Sequence, residues 1–158
     1  MFKTTIVSTF LAATLIGPAH AGGPRDASAR SLLGALRHAD APTVLARLDA
    51  DPALRDAVFD GVESAKPAWL AVAQRLRPAA DASDAEQLDM AVARALPRAP
   101  RRVLALVDHG FAMRSVCTSP FIEPAAGIAE AYRARALKSL DRVHTPVAAA
   151  CAERIASF

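Results

Sequence analysis

The chain has 158 residues, 53% of them hydrophobic, and carries a formal net charge of +3. Alanine supplies 38 of those hydrophobic positions; it favours helix and buries little, so the core must come from a modest set of Leu, Val, Ile and Phe. Arginine outnumbers lysine 16 to 3, yet so small a net charge, without basic residues interleaved with aromatics, argues against a nucleic-acid partner.

The first segment predicts export. Lys3 and the amino terminus form a short basic region, Ile6 to Ile16 is uncharged and largely apolar, and Gly17-Pro18 breaks the run before Ala19-His20-Ala21. Small residues at both ends of that triplet suit signal peptidase, which places cleavage after Ala21 and defines a leader over 1–21. An apolar run of about eleven residues is too short for a spanning helix, which needs roughly 20. No cysteine follows it, so neither a membrane anchor nor a lipid anchor is expected. The remainder, 22–158, is one domain's length of chain, enough to bury roughly two-thirds of its unfolded surface. Its expected location is the periplasm or the medium.

From there helix signals recur and strand signals are nearly absent. Leu32, Leu33 and Leu36 mark an opening helix over about 26–39. Pro42, Pro52 and Pro67 each suit a first helical turn, with Asp51 as a cap before Pro52. Ser83 to Glu86 reads as a capping box. Pro100 opens a helix expected to run to Gly110, a suitable C-terminal glycine. Pro124 opens what reads as the longest helix, and Thr145 caps a last one beginning at Pro146. Apolar residues fall on matching faces: Leu54, Val58 and Val62; Leu88, Val92 and Leu96; Val103, Leu104, Val107 and Phe111. Ile128, Tyr132, Leu137, Leu140 and Val143 continue the pattern, followed by Val147, Cys151 and Ile155, each the stripe of a helix packed on one side. The expected fold is all-α, an antiparallel array of about eight short helices. An echo between Ala41–Asp49 and Ala99–Asp108 leaves two arrangements open, a compact bundle and a short HEAT-like stack of duplicated hairpins.

Gly61, Trp69-Leu70, Asp81, Ala95-Leu96-Pro97, Pro100, Val103-Leu104 and Cys117 form a pattern over 61–124. It resembles small exported helical proteins of bacteria. The resemblance implies export and a helical fold, and it carries no activity with it.

Catalytic motifs do not assemble from the sequence. Outside the leader the histidines are His38, His109 and His144, and no two stand at the spacing of a helical metal site; no metal or other cofactor is expected. Asp108 and His109 are adjacent, which on a helix sets their side chains about 100° apart. His109, just before Gly110, suits a helix C-terminus. There is no nucleophile elbow and no glycine-rich phosphate loop. Asp56 and Asp60 share a spacing common on solvated faces. No catalytic residue is assigned.

Three features remain. Cys117 and Cys151 are the only cysteines, and in an exported chain they are expected to pair. Arg94, Arg98, Arg101 and Arg102 follow one another with no acid between them, either as a solvated connection or as a contact for an acidic partner. Phe121, Ile122 and Glu123 lie in a segment fixed by Cys117, Pro120 and Pro124, where Phe121 and Ile122 either pack under the loop or meet a partner. The expectation drawn from these features is an exported, non-enzymatic domain that binds another protein, of the inhibitor or immunity type. The alternative is an envelope enzyme, or an enzyme accessory, with a site built from scattered residues such as Asp108, His109 and Glu123.

Overall fold

The computed structural model describes residues 24–158, with side chains from residue 28 onward; the expected leader over 1–21 lies outside the described residues. Among them the chain forms nine α-helices and no strand. They are α1 (Pro24–His38), α2 (Ala41–Ala50), α3 (Pro52–Glu63), α4 (Pro67–Leu76), α5 (Ala82–Ala95), α6 (Pro100–Leu104), α7 (Met113–Val116), α8 (Ile128–Leu140) and α9 (Pro146–Ala156).

Four helix starts follow from side-chain caps. Asp40 accepts from the Thr43 N–H at 2.9 Å, Asp51 from Leu54 at 3.0 Å, and Thr145 from Ala148 at 3.2 Å. Each satisfies an N–H group that the first helical turn leaves without a partner. The box expected at Ser83 is displaced. Helix α5 begins at Ala82, and its cap is Asp81, which accepts from the Asp84 N–H at 2.9 Å. A carboxylate at the positive helix end outcompetes a hydroxyl two residues later, and Ser83 instead accepts from the Gln87 side chain.

Two expected helices differ in extent. The one opening at Pro100 ends at Leu104 rather than Gly110. Asp108 has φ 65° and Gly110 φ 105°, left-handed conformations that no α-helix can contain, and aspartate and glycine are among the residues that tolerate them. The turn brings Val107 beside Phe111 in an isolated bridge and buries both. Pro124 does not open α8: Gly127, at φ 84°, caps it, and the helix starts at Ile128. Nor is α8 the longest; it has 13 residues against 15 for α1.

Each of α1 to α4 touches the other three, a closed cluster rather than a linear stack of hairpins. The echoed segments become a ten-residue helix and a five-residue one, so they are not equivalent units. Helix α5 lies along α3 and carries the chain to α6 and α7, while α8 and α9 form a hairpin seated on α6. The core centres on Trp69, fully buried with Val58, Val62, Val72, Leu76, Leu88 and Val92. Its ring lies directly on Gly61 of α3, where a Cβ would enter the ring's van der Waals surface. In the second half, Ile128 and Val147 turn outward, at 44% and 39% exposure, and Ala136 and Ala148 take inward places instead. Small residues there let α8 and α9 approach closely.

Charge pairing holds the first half together as well. Arg55 reaches Asp49 and, at 2.6 Å, the buried carboxylate of Asp84, joining α3 to α5. Arg77 meets Asp89 through two hydrogen bonds, at 2.8 and 3.1 Å. The second half is joined covalently. Cys117, just after α7, is bonded to Cys151 of α9 with the Cα atoms 5.2 Å apart, as the cysteine count led one to expect. No helix among the described residues is long and apolar enough to cross a membrane.

Candidate functional site

The end of α5, the start of α6 and one face of α8 enclose a basic groove. Its larger part is a cavity of about 610 Å³ with Glu63, Arg94 and Arg98 on one side, Arg135, Lys138 and Arg142 on the other, and Phe121 and Tyr132 in its lining. A second cavity of about 360 Å³ shares Pro97, Arg98, Ser139 and Arg142 with the first and continues past Arg101 and Arg102. The two form one channel.

Its base is tightly built. The Tyr132 ring is buried, and its hydroxyl donates to the Ala93 carbonyl at 2.9 Å, linking α8 to α5. Burial pushes the ionisation of that hydroxyl far above the ordinary tyrosine value, so it stays a donor. Phe121 meets Tyr132 edge to face with centroids 5.6 Å apart, and the Arg94 guanidinium lies over the Phe121 ring at 5.5 Å. Arg94 also donates to Glu63 at 2.7 Å and to the Pro120 carbonyl at 3.2 Å. Arg94 thus fixes the loop to α3 and α5, with its charge already met.

The other cations are not met. Arg98 donates to the Glu63 carbonyl at 3.3 Å, Arg101 to that of Arg142 at 3.4 Å, and Arg102 to that of Ala65 at 3.4 Å, long contacts to neutral oxygens. Among the described residues no carboxylate stands within ion-pair reach of Arg98, Arg101, Arg102, Arg135, Lys138 or Arg142. Clustered like charges repel one another, and a concave wall of low dielectric strengthens their field at the centre of the channel. Such a site attracts anions, and planar guanidinium groups favour carboxylates and phosphates held by two hydrogen bonds.

Of the contact residues expected from the sequence, the fold gathers Arg94, Arg98, Arg101, Arg102 and Phe121 at this groove. Phe121 and Ile122 part company. Phe121 is half-buried and packs on the core, whereas Ile122 is 74% exposed at the loop surface. Ile122 borders a separate cavity of about 390 Å³, alongside Arg77, Met90 and Ser115, whose wall Phe121 also forms. Glu123 is exposed, at φ 45°, and lines none of these cavities. Asp108 and His109 lie in the turn before Phe111 and line none of them either; the structure shows no interaction joining them to Glu123. The described residues hold no cluster of three or more potential metal ligands.

Sequence reasoning missed the far wall. Arg135 and Lys138 stand at i and i+3 on α8, Arg142 follows just past its end, and that spacing was there to be read. The apolar stripe of Tyr132, Leu137 and Leu140 drew attention to the opposite face. What fold and groove define is an all-helical domain, stapled once, with a channel of unmatched positive charge. Comparisons with protein-family models, curated proteins and solved structures find no match for this chain.

Proposed function

We propose that the protein is an exported, non-enzymatic binding domain that engages another protein through the basic groove and the stapled loop beside it, in the manner of an inhibitor or immunity protein. The observation that carries this reading is the set of six cations without carboxylate partners around one channel. Export is supported by the leader-like start of the sequence and by the Cys117–Cys151 bond, since such bonds persist in oxidising compartments. A loop fixed by a disulfide and two prolines loses little entropy on binding, and Ile122 offers it an exposed apolar tip.

The test is capture from envelope extract with the mature chain as bait, beside a variant carrying Ile122→Ser and Arg98→Glu. The expected result is one stoichiometric protein retained by the natural chain and lost by the variant, while both melt at the same temperature. A bait that retains no protein at any ionic strength would overturn the reading.

A further inference from the structure

We infer that the occupant of the groove is an extended acidic polypeptide segment that places an apolar side chain against the open part of Phe121; this rests on the protein-binding reading above and names the chemistry of the partner. Shape decides first between chain-like and flat occupants. The cations lie on two facing walls of a channel, and a flat bilayer surface cannot bring its headgroups to both. Size decides next. A cavity of about 610 Å³ that runs on into a second of about 360 Å³ is far larger than one small anion needs.

Spacing then sets what such a chain must carry. Along α8 the step from Arg135 to Lys138 is roughly 4.5 Å at about 1.5 Å of rise per residue, and Arg98 stands on the facing wall. An extended strand advances about 3.3 Å per residue and alternates its side chains. Carboxylates at neighbouring or alternate positions therefore reach both walls within about five residues. The base of the groove supplies the last requirement. Phe121 is half-buried there, set edge to face on the buried Tyr132 with Arg94 over its ring, and keeps part of that ring open. A polyanion without apolar groups would leave that surface uncovered, and an acidic segment bearing one large apolar residue covers it.

The experiment titrates the natural mature chain with the fluorescently labelled peptide Gly-Gly-Glu-Glu-Phe-Glu-Glu-Gly-Gly, with its Lys-for-Glu and Ala-for-Phe counterparts, and with polyphosphate and anionic phosphatidylglycerol vesicles. The acidic peptide is expected to bind at least about tenfold more tightly than its lysine counterpart and to weaken severalfold as salt rises from ~50 to ~300 mM. Replacing its Phe with Ala is expected to cost a further several-fold. The variant Arg135→Glu/Lys138→Glu/Arg142→Glu, all exposed side chains, is expected to lose this binding with an unchanged melting temperature; the Gln versions of the same three changes provide a second, milder set should the first fail to fold. Tighter binding of polyphosphate or vesicles than of the peptide would overturn the assignment of an acidic segment. Equal binding of the Phe and Ala peptides would overturn the role of the aromatic base. If the captured envelope partner is retained equally by the natural chain and the charge-reversed variant, the groove assignment falls while the protein-binding reading stands.

Discussion

The two halves of the molecule handle arginine in opposite ways. In α3 to α5, Arg55 and Arg77 each end on aspartates from a neighbouring helix, so their charges are met within the fold. Around α6 and α8, Arg98, Arg135 and Arg142 face a shared channel whose lining acid, Glu63, is taken by Arg94. The same residue type is therefore mortar in one half and an open binding surface in the other. Partners, rather than composition, distinguish them. The halves also differ in what holds them: apolar packing around Trp69 in the first, and apolar packing together with the Cys117–Cys151 bond in the second.

Four tests, with five variants, probe that contrast. The largest effect is expected from Trp69→Ala, which empties the centre of the first half and should cost about 3–5 kcal/mol, read as a fall in the denaturation midpoint with the groove peptide still bound below it. Next comes Cys117→Ala with Cys151→Ala. The loop closed by this bond spans a sequence separation of 34, for which the chain-entropy model gives roughly 3–4 kcal/mol. Here peptide binding should weaken before the first half melts; a single concerted loss would show that the halves do not differ in this way.

The third test separates a paired arginine from its acid. Arg55→Ala leaves the Asp84 carboxylate buried without its partner and should cost about 2–4 kcal/mol. Asp84→Asn removes the buried charge along with the pair and should change stability by less than about 1 kcal/mol at neutral pH. Burial raises the Asp84 carboxyl above its ordinary value of 3.8, with Arg55 opposing. The folded chain thus holds that proton more tightly than the unfolded one. The group's contribution to stability is complete below pH 3.8 and is lost as pH rises through the folded value. Denaturation midpoints measured across that interval should be flatter for Asp84→Asn than for the natural chain. The smallest effect belongs to Arg135→Gln, Lys138→Gln and Arg142→Gln together, within about 0.5 kcal/mol of the natural chain. A marked loss of stability in this last variant would mean that the groove cations are structural after all.

Much of the fold was legible because it depends on short-range signals. Prolines at first turns and the caps Asp51 and Thr145 fix boundaries that no distant contact overrides. Boundaries were misread where two local signals competed, as Asp81 did with Ser83, or where a left-handed residue intervened: Asp108 in the turn that follows a helix ended early, Gly127 at the late start of α8. The site was half legible. Arg94 to Arg102 announce themselves as a run, but their facing wall on α8 is some 40 residues away, and only the fold brings it near. That Phe121 would turn in and Ile122 out could not be read from adjacent residues in an irregular loop.

The chain contains one tryptophan and one tyrosine, and the fold assigns one to each half. Trp69 is sealed in the part of the core between the first helices, with an indole N–H that meets no acceptor among the described residues; Tyr132 lies under the groove against Phe121. Each half therefore carries its own natural chromophore. Indole emission should report melting of the α1–α5 core, and the near-ultraviolet dichroism of the phenol should report ligand entry and release of the staple. The two events can be followed in one cuvette without a label.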